Sequence, residues 1–177
     1  LIVIARPPVD VAYPLKRTRV KICGLTRITD VQDAVQSGAD AVGLVFHPGS
    51  PRNVSKDEAR RIAEKVPAFV SVVALFVDAA PVLVCETLAS LRVDVLQFHG
   101  DETVEYCKQF GKPWIKALRM RPDLDLAGVF EEYAGACGIL LDAYEPGAAG
   151  GTGARFDWSR IPDSMASQII LAGGLEP

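Results

Sequence analysis

Seven short apolar runs recur along this chain at nearly even spacing. Each leads into a turn and then a segment of helical periodicity. The runs cover residues 20–23, 41–46, 69–77, 93–98, 114–118, 138–141 and 169–172, and their starts lie 21, 28, 24, 21, 24 and 31 residues apart. Strands that alternate with helices pair in parallel through right-handed crossovers. Near-continuous apolar strands suit a sheet covered on both faces. Two architectures satisfy this: an open doubly wound sheet and a closed (β/α)8 barrel.

The strand ends separate the two. No G-x-G-x-x-G follows the first run, so the dinucleotide fingerprint of the open sheet is missing. Polar or glycine residues instead follow almost every run: Cys23-Gly24, His47, Asp78, His99-Gly100, Arg119, Asp142 and Gly173-Gly174. A barrel gathers such ends into one mouth, where its active site sits. The expected fold is therefore α/β, a (β/α)8 TIM barrel with seven strands in view. Residues 1–19 read as an extension with a short apolar start. Residues 20–177 read as the barrel domain, incomplete at its C-terminal side by one unit of roughly 40–50 residues.

The segments between the runs carry helix signals. Thr29 with Gln32 and Ser55 with Glu58 have capping-box spacing. Ala59, Ile62, Ala63 and Val66 fall on one helical face. Asp101 and Glu102 would place acid at a helix start, where the dipole favours it.

Composition excludes several classes. Apolar residues make up 49% of the chain, enough for a packed core. The net charge of −3 comes without a basic face, which argues against nucleic acid or an anionic membrane as partner. The charge-free stretch at residues 66–77 contains Pro67 and is too short for a bilayer. The four cysteines are scattered with no C-x-x-C pair, so neither a structural zinc site nor a disulfide frame is expected. The thiols read as reduced, in a cytoplasmic protein.

Within the mouth, two residues have acid–base character. Cys23 follows the first strand and can act as base once ionised, or pack as a small apolar group. Asp142 ends a wholly apolar run, and partial desolvation suits a carboxyl to proton donation. Arg52, in the loop after the second run, can grip a carboxylate in bidentate fashion. Gln97 and His99 can hydrogen-bond a substrate. Gly150 and Gly151, in a glycine-rich loop, and Gly173 and Gly174, after the seventh run, can bring backbone N–H groups to a phosphate.

These residues stand in motifs that resemble one family, phosphoribosylanthranilate isomerase. The motifs are Lys21-Ile22-Cys23-Gly24-Leu25-Thr26, Ser37-Gly38-Ala39-Asp40-Ala41, Ser50-Pro51-Arg52, Leu96-Gln97-Phe98-His99-Gly100, Leu140-Leu141-Asp142, Gly150-Gly151-Thr152-Gly153, Phe156-Asp157-Trp158 and Leu171-Ala172-Gly173-Gly174-Leu175. The resemblance implies a barrel enzyme of tryptophan biosynthesis that needs neither metal nor organic cofactor. It implies that Asp142 is the general acid, Cys23 the general base and Arg52 the anthranilate ligand. The glycine pair at Gly173 and Gly174 would hold the phosphate. It further implies a monomer when complete, with fusion to or association with another enzyme of the pathway as a known variation. His47 and Ala143 stand where Tyr and Thr are usual, and the family's eighth strand is missing. Two rival readings follow from that gap: a non-catalytic fragment with open strand edges that needs a complementing partner, and a barrel enzyme for a different sugar phosphate.

Overall fold

The computed structural model describes residues 2–5, 17–143, 157–162, 165 and 169–174. Seven strands run parallel: β2 (Arg19–Cys23), β3 (Ala41–Val45), β4 (Ser71–Phe76), β5 (Val95–Phe98), β6 (Trp114–Arg119), β7 (Gly138–Asp142) and β8 (Ile169–Leu171). They are the seven runs of the sequence, and they curl around most of a closed ring. The helices between them are α1 (Ile28–Gln36), α2 (Lys56–Ala63), α3 (Pro81–Ser90), α4 (Val104–Lys108) and α5 (Leu126–Glu132).

The ring closes differently from the expectation. The gap between the first and last parallel strands is filled by β1 (Ile2–Ala5), which runs antiparallel to both neighbours. Ile2 faces Ile22 and Ala5 faces Arg19 on one side, and Ile4 and Ala5 face Leu171 and Ile170 on the other. The open edges expected on β2 and β8 are therefore paired. Any strand offering free N–H and C=O groups can satisfy such edges.

Side-chain alternation divides the apolar residues into two cores. Outward residues such as Val42, Leu44, Val72, Phe76, Leu96, Phe98, Ile139 and Leu141 pack under the helices. There Phe46 stacks on Phe76 at 5.3 Å, and Phe98 meets Tyr106 edge-on at 5.6 Å. Inward residues fill the barrel: Ile115, Ala117, Leu140 and Ala172 on one side, and Val45 and Leu75 beside Cys23 on the other.

Local signals were read correctly at α2. Ser55 Oγ accepts from the Glu58 N–H and Glu58 Oε2 accepts from the Ser55 N–H, and Ala59, Ile62, Ala63 and Val66 are buried. Three local expectations are corrected. Helix α1 starts at Ile28 with no side-chain cap, because Arg27 binds Asp30 in the first turn and Thr29 lies inside the helix. Strand β4 starts at Ser71, because Pro67 to Val70 forms a turn in which Phe69 takes a φ of 69° and is fully exposed. Glu102 does not serve the following helix, whose cap is Thr103. It turns inward to Lys116 instead.

Candidate active site

The mouth lies at the carboxyl ends of the parallel strands. Cys23 closes β2 and Asp142 closes β7, both pointing into the barrel and 4% and 1% exposed. Around the ring they are separated by β8 and β1. The expected acid and base thus face into one enclosure from opposite sides of the closing strand.

The space around the Cys23 thiol is set by a residue that sequence reading missed. Gly43 pairs with Cys23 across β2 and β3. A Cβ at position 43 would lie 2.6 Å from Cys23 Sγ and 3.0 Å from its Cα. A lone glycine inside an otherwise apolar strand is the available signal for such a close approach.

Arg52 reaches the same end of β2. Its Nη1 donates to the Cys23 carbonyl at 3.4 Å, and its backbone N–H donates to Ser50 Oγ at 3.1 Å. The guanidinium lies over Gly24, whose φ of 82° and contact with Arg52 Cδ both exclude a side chain. Among the described residues the guanidinium uses one donor, leaving the others for an anion.

The Asp142 carboxyl is bounded by the Ala143 backbone, Gly173 and His99. Its Oδ1 accepts from the Ala143 N–H at 3.0 Å. A Cβ at Gly173 would lie 2.8 Å from that oxygen, so β8 leaves room for the carboxyl. Its Oδ2 faces His99 Nε2 at 3.4 Å. Neither of these two atoms has a hydrogen-bond partner among the described residues. On the neighbouring strand Arg119 is in register with Asp142, and its Nε is likewise buried without a partner.

Gln97 lies below the mouth rather than on its surface. It is 1% exposed, and both ends of its amide are taken by protein: Oε1 accepts from Lys21 Nζ at 2.6 Å, and Nε2 lies 3.4 Å from His99 Nδ1. Gly173 and Gly174 follow β8 with φ values of 78° and 56°. Gly150 and Gly151 lie outside the described residues. A cavity of about 310 Å³ opens beside the mouth, lined in part by His99, Asp101, Lys116, Arg119 and Tyr133. No group of three or more potential metal ligands occurs among the described residues.

The remaining thiols differ from Cys23 in place. Cys107 lies on the buried face of α4 in the outer core, where burial pushes its thiol up to about 12. Cys85 is exposed on α3.

Parallel strands whose carboxyl ends converge on a buried thiol and a buried carboxyl define a (β/α)8-barrel enzyme. The family model for N-(5'-phosphoribosyl)anthranilate isomerase matches residues 20–177. A curated relative of that name from Thiobacillus denitrificans is 52% identical over 159 residues, covering 90% of this chain and 78% of the relative. One from Pseudomonas putida is 52% identical over 161 residues, covering 91% and 78%. The solved phosphoribosyl anthranilate isomerase from Thermotoga maritima superposes with a TM-score of 0.78 at 36% identity, covering 88% of this chain and 76% of that one. A further solved isomerase, in complex with reduced 1-(o-carboxyphenylamino)-1-deoxyribulose 5-phosphate, superposes with a TM-score of 0.65 at 36% identity, covering 71% and 64%. The chain belongs to the N-(5'-phosphoribosyl)anthranilate isomerase family.

Proposed function

We propose that the chain isomerises N-(5'-phosphoribosyl)anthranilate to 1-(2-carboxyphenylamino)-1-deoxyribulose 5-phosphate, a step of tryptophan biosynthesis. The reading rests on Asp142 and Cys23 entering one mouth from β7 and β2 in a chain of this family.

Asp142 delivers a proton to the ribose ring oxygen. The C1–O bond breaks as the anilino nitrogen's lone pair forms the C1=N bond, leaving an iminium cation. Cys23, as thiolate, removes the proton from C2, and that electron pair forms C1=C2 while the C=N pair returns to nitrogen. The enolamine then passes its hydroxyl proton to solvent and takes one at C1, giving the ketone. The product is an isomer of the substrate, and the cation serves as the electron sink. General acid–base help of this kind is worth roughly 10²–10⁴-fold per group.

Arg52 is read as the ligand of the anthranilate carboxylate, since its free donors suit a planar carboxylate. Gly173 and Gly174, whose positive-φ backbone can turn N–H groups toward an anion, are read as the phosphate side, together with Gly150 and Gly151 of the glycine-rich segment. We read the working unit as a cytoplasmic monomer without bound cofactor. The open-edged fragment considered from the sequence loses its premise, because β2 and β8 are both paired.

Cys23→Ala and Asp142→Asn should each lower kcat by about 10²-fold or more, with circular dichroism and melting close to the parent. Near-parental turnover in either variant removes that residue from its role.

A further inference from the structure

We infer that Lys21 and Gln97 are positioning residues, and that their task is to set which nitrogen of His99 carries the ring proton. The inference rests on the acid role proposed for Asp142.

The observation is a continuous polar string through an otherwise apolar barrel interior. Lys21 on β2, Gln97 on β5, His99 just after β5 and Asp142 on β7 are all buried. They connect in order: Lys21 Nζ to Gln97 Oε1 at 2.6 Å, Gln97 Nε2 to His99 Nδ1 at 3.4 Å, and His99 Nε2 to Asp142 Oδ2 at 3.4 Å. Burying a lysine and a glutamine in a barrel core is costly unless each is used. A Leu at position 97 would lie in register between Leu75 and Ile115 without that cost.

Donor and acceptor chemistry makes the string directional. The Lys21 nitrogen donates, so it must meet the amide oxygen of Gln97 and not its nitrogen. That turns the Gln97 NH₂ toward His99. An amide nitrogen only donates, so His99 Nδ1 must be the accepting nitrogen. In the neutral ring the proton then sits on Nε2, the atom that faces Asp142. The ring therefore points a donor at the acid's second oxygen, while the Ala143 N–H serves the first.

This arrangement favours proton departure from Asp142. As the carboxyl gives its proton to the substrate, negative charge develops on its oxygens. Two fixed donors then await that charge, and preorganised donors of this kind act on the barrier itself. With the opposite tautomer, a lone pair of Nε2 would face Oδ2 and would oppose the same step. The other charged groups near His99 are Lys116 and Arg119 on β6, and Asp101 and Glu102 on its own loop. Lys116 and Glu102 bind each other, and Asp101 is exposed. None of these four offers Nδ1 an alternative partner among the observed hydrogen bonds.

The test uses ring ¹⁵N NMR, which distinguishes the two tautomers directly. The chain has two histidines, so His47→Asn assigns the His99 signals. In the full chain at alkaline pH, where a histidine ring carries one proton, the expected pattern is Nε2 protonated and Nδ1 bare. Gln97→Glu places a carboxylate between Lys21 and His99. It accepts from both, so the proton should move to Nδ1. The expected kinetic result is kcat reduced about tenfold or more, with KM within about twofold of the parent because no substrate ligand is altered. Lys21→Met should leave the amide free to turn and give a mixture of both ring patterns. Nδ1–H in the parent chain overturns the inference, as does an unchanged kcat in Gln97→Glu once its tautomer has reversed. A parent chain that shows the Nε2–H pattern but no isomerase turnover instead overturns the function on which the inference rests.

Discussion

At the scale of single residues the mouth is defined as much by what is missing as by what is present. Cys23 and Asp142 could be read from the sequence because each ends an apolar run, and in a parallel barrel that position faces the mouth. Gly43 was not read, although it decides where the thiol sits. Its effect depends on a partner 20 residues away across β2 and β3, which no local pattern shows. Gly43→Ala should therefore push the thiol aside. An extra methyl in a full site costs about 1–3 kcal/mol, and a displacement near 1 Å can cost about 10²-fold in rate. The expected result is a modest fall in melting temperature with a fall in kcat of at least tenfold, measured on the purified variant. Full turnover would show that the strand yields without moving Cys23. Gln97 was read as a substrate ligand because it shares a motif with His99. Its burial and its bond to Lys21 give it protein partners instead.

Among the elements, Glu102 ties the loop after β5 to the loop after β4 by a hydrogen bond and to β6 by a buried ion pair. Glu102 Oε2 accepts from Lys116 Nζ at 2.8 Å and from the Gly100 N–H at 2.9 Å, and its Oε1 accepts from the Asp78 N–H at 2.9 Å. Lys116 also donates to the Gly100 carbonyl at 2.6 Å and lies over the Tyr133 ring. Removing one partner leaves the other charge buried and unpaired, so Lys116→Met should cost about 3–5 kcal/mol. Adding Glu102→Gln should recover part of that, and urea melts of the pair read the coupling. Recovery absent from the double variant would mean the two charges act independently. The sequence suggested a dipole role for Glu102 because local rules consider only the next helix, whereas the lysine that claims it comes from the next strand. A second, exposed contact ties the chain before β2 to the turn before β3. Asp40 binds Arg17 and accepts from the Val20 N–H at 2.9 Å, and its carboxyl is held below the ordinary 3.8, chiefly by the hydrogen bond from Arg17. A depressed folded value stabilises above the unfolded value and is lost as the pH falls through the folded one. Asp40→Asn should thus be less stable than the parent above pH 3.8, and the gap should close below it. A gap that stays constant through acid titration would assign the effect to packing.

For the molecule as a whole, the barrel's circumference is complete while its symmetry is not. Seven strands and the helices over them were legible, because apolar runs and helical periodicity are local and strong. The eighth was not, because Ile2–Ala5 gives no sign of a partner and both of its neighbours are remote in sequence. Its contribution can be tested by deleting residues 1–16. Loss of β1 should leave β2 and β8 with unpaired edges and raise self-association in light scattering. A truncated chain that stays monodisperse and equally stable would show that those edges need no partner. The direction of β1 also decides where other sequences would sit. Ile2 is in register with Ile22, next to Cys23, and Ala5 is in register with Arg19 at the far end. The rim is thus made of seven carboxyl ends and one amino end. An affinity tag, reporter or neighbouring enzyme joined ahead of Ile2 would emerge at the catalytic entrance, where it could obstruct substrate or hand it over.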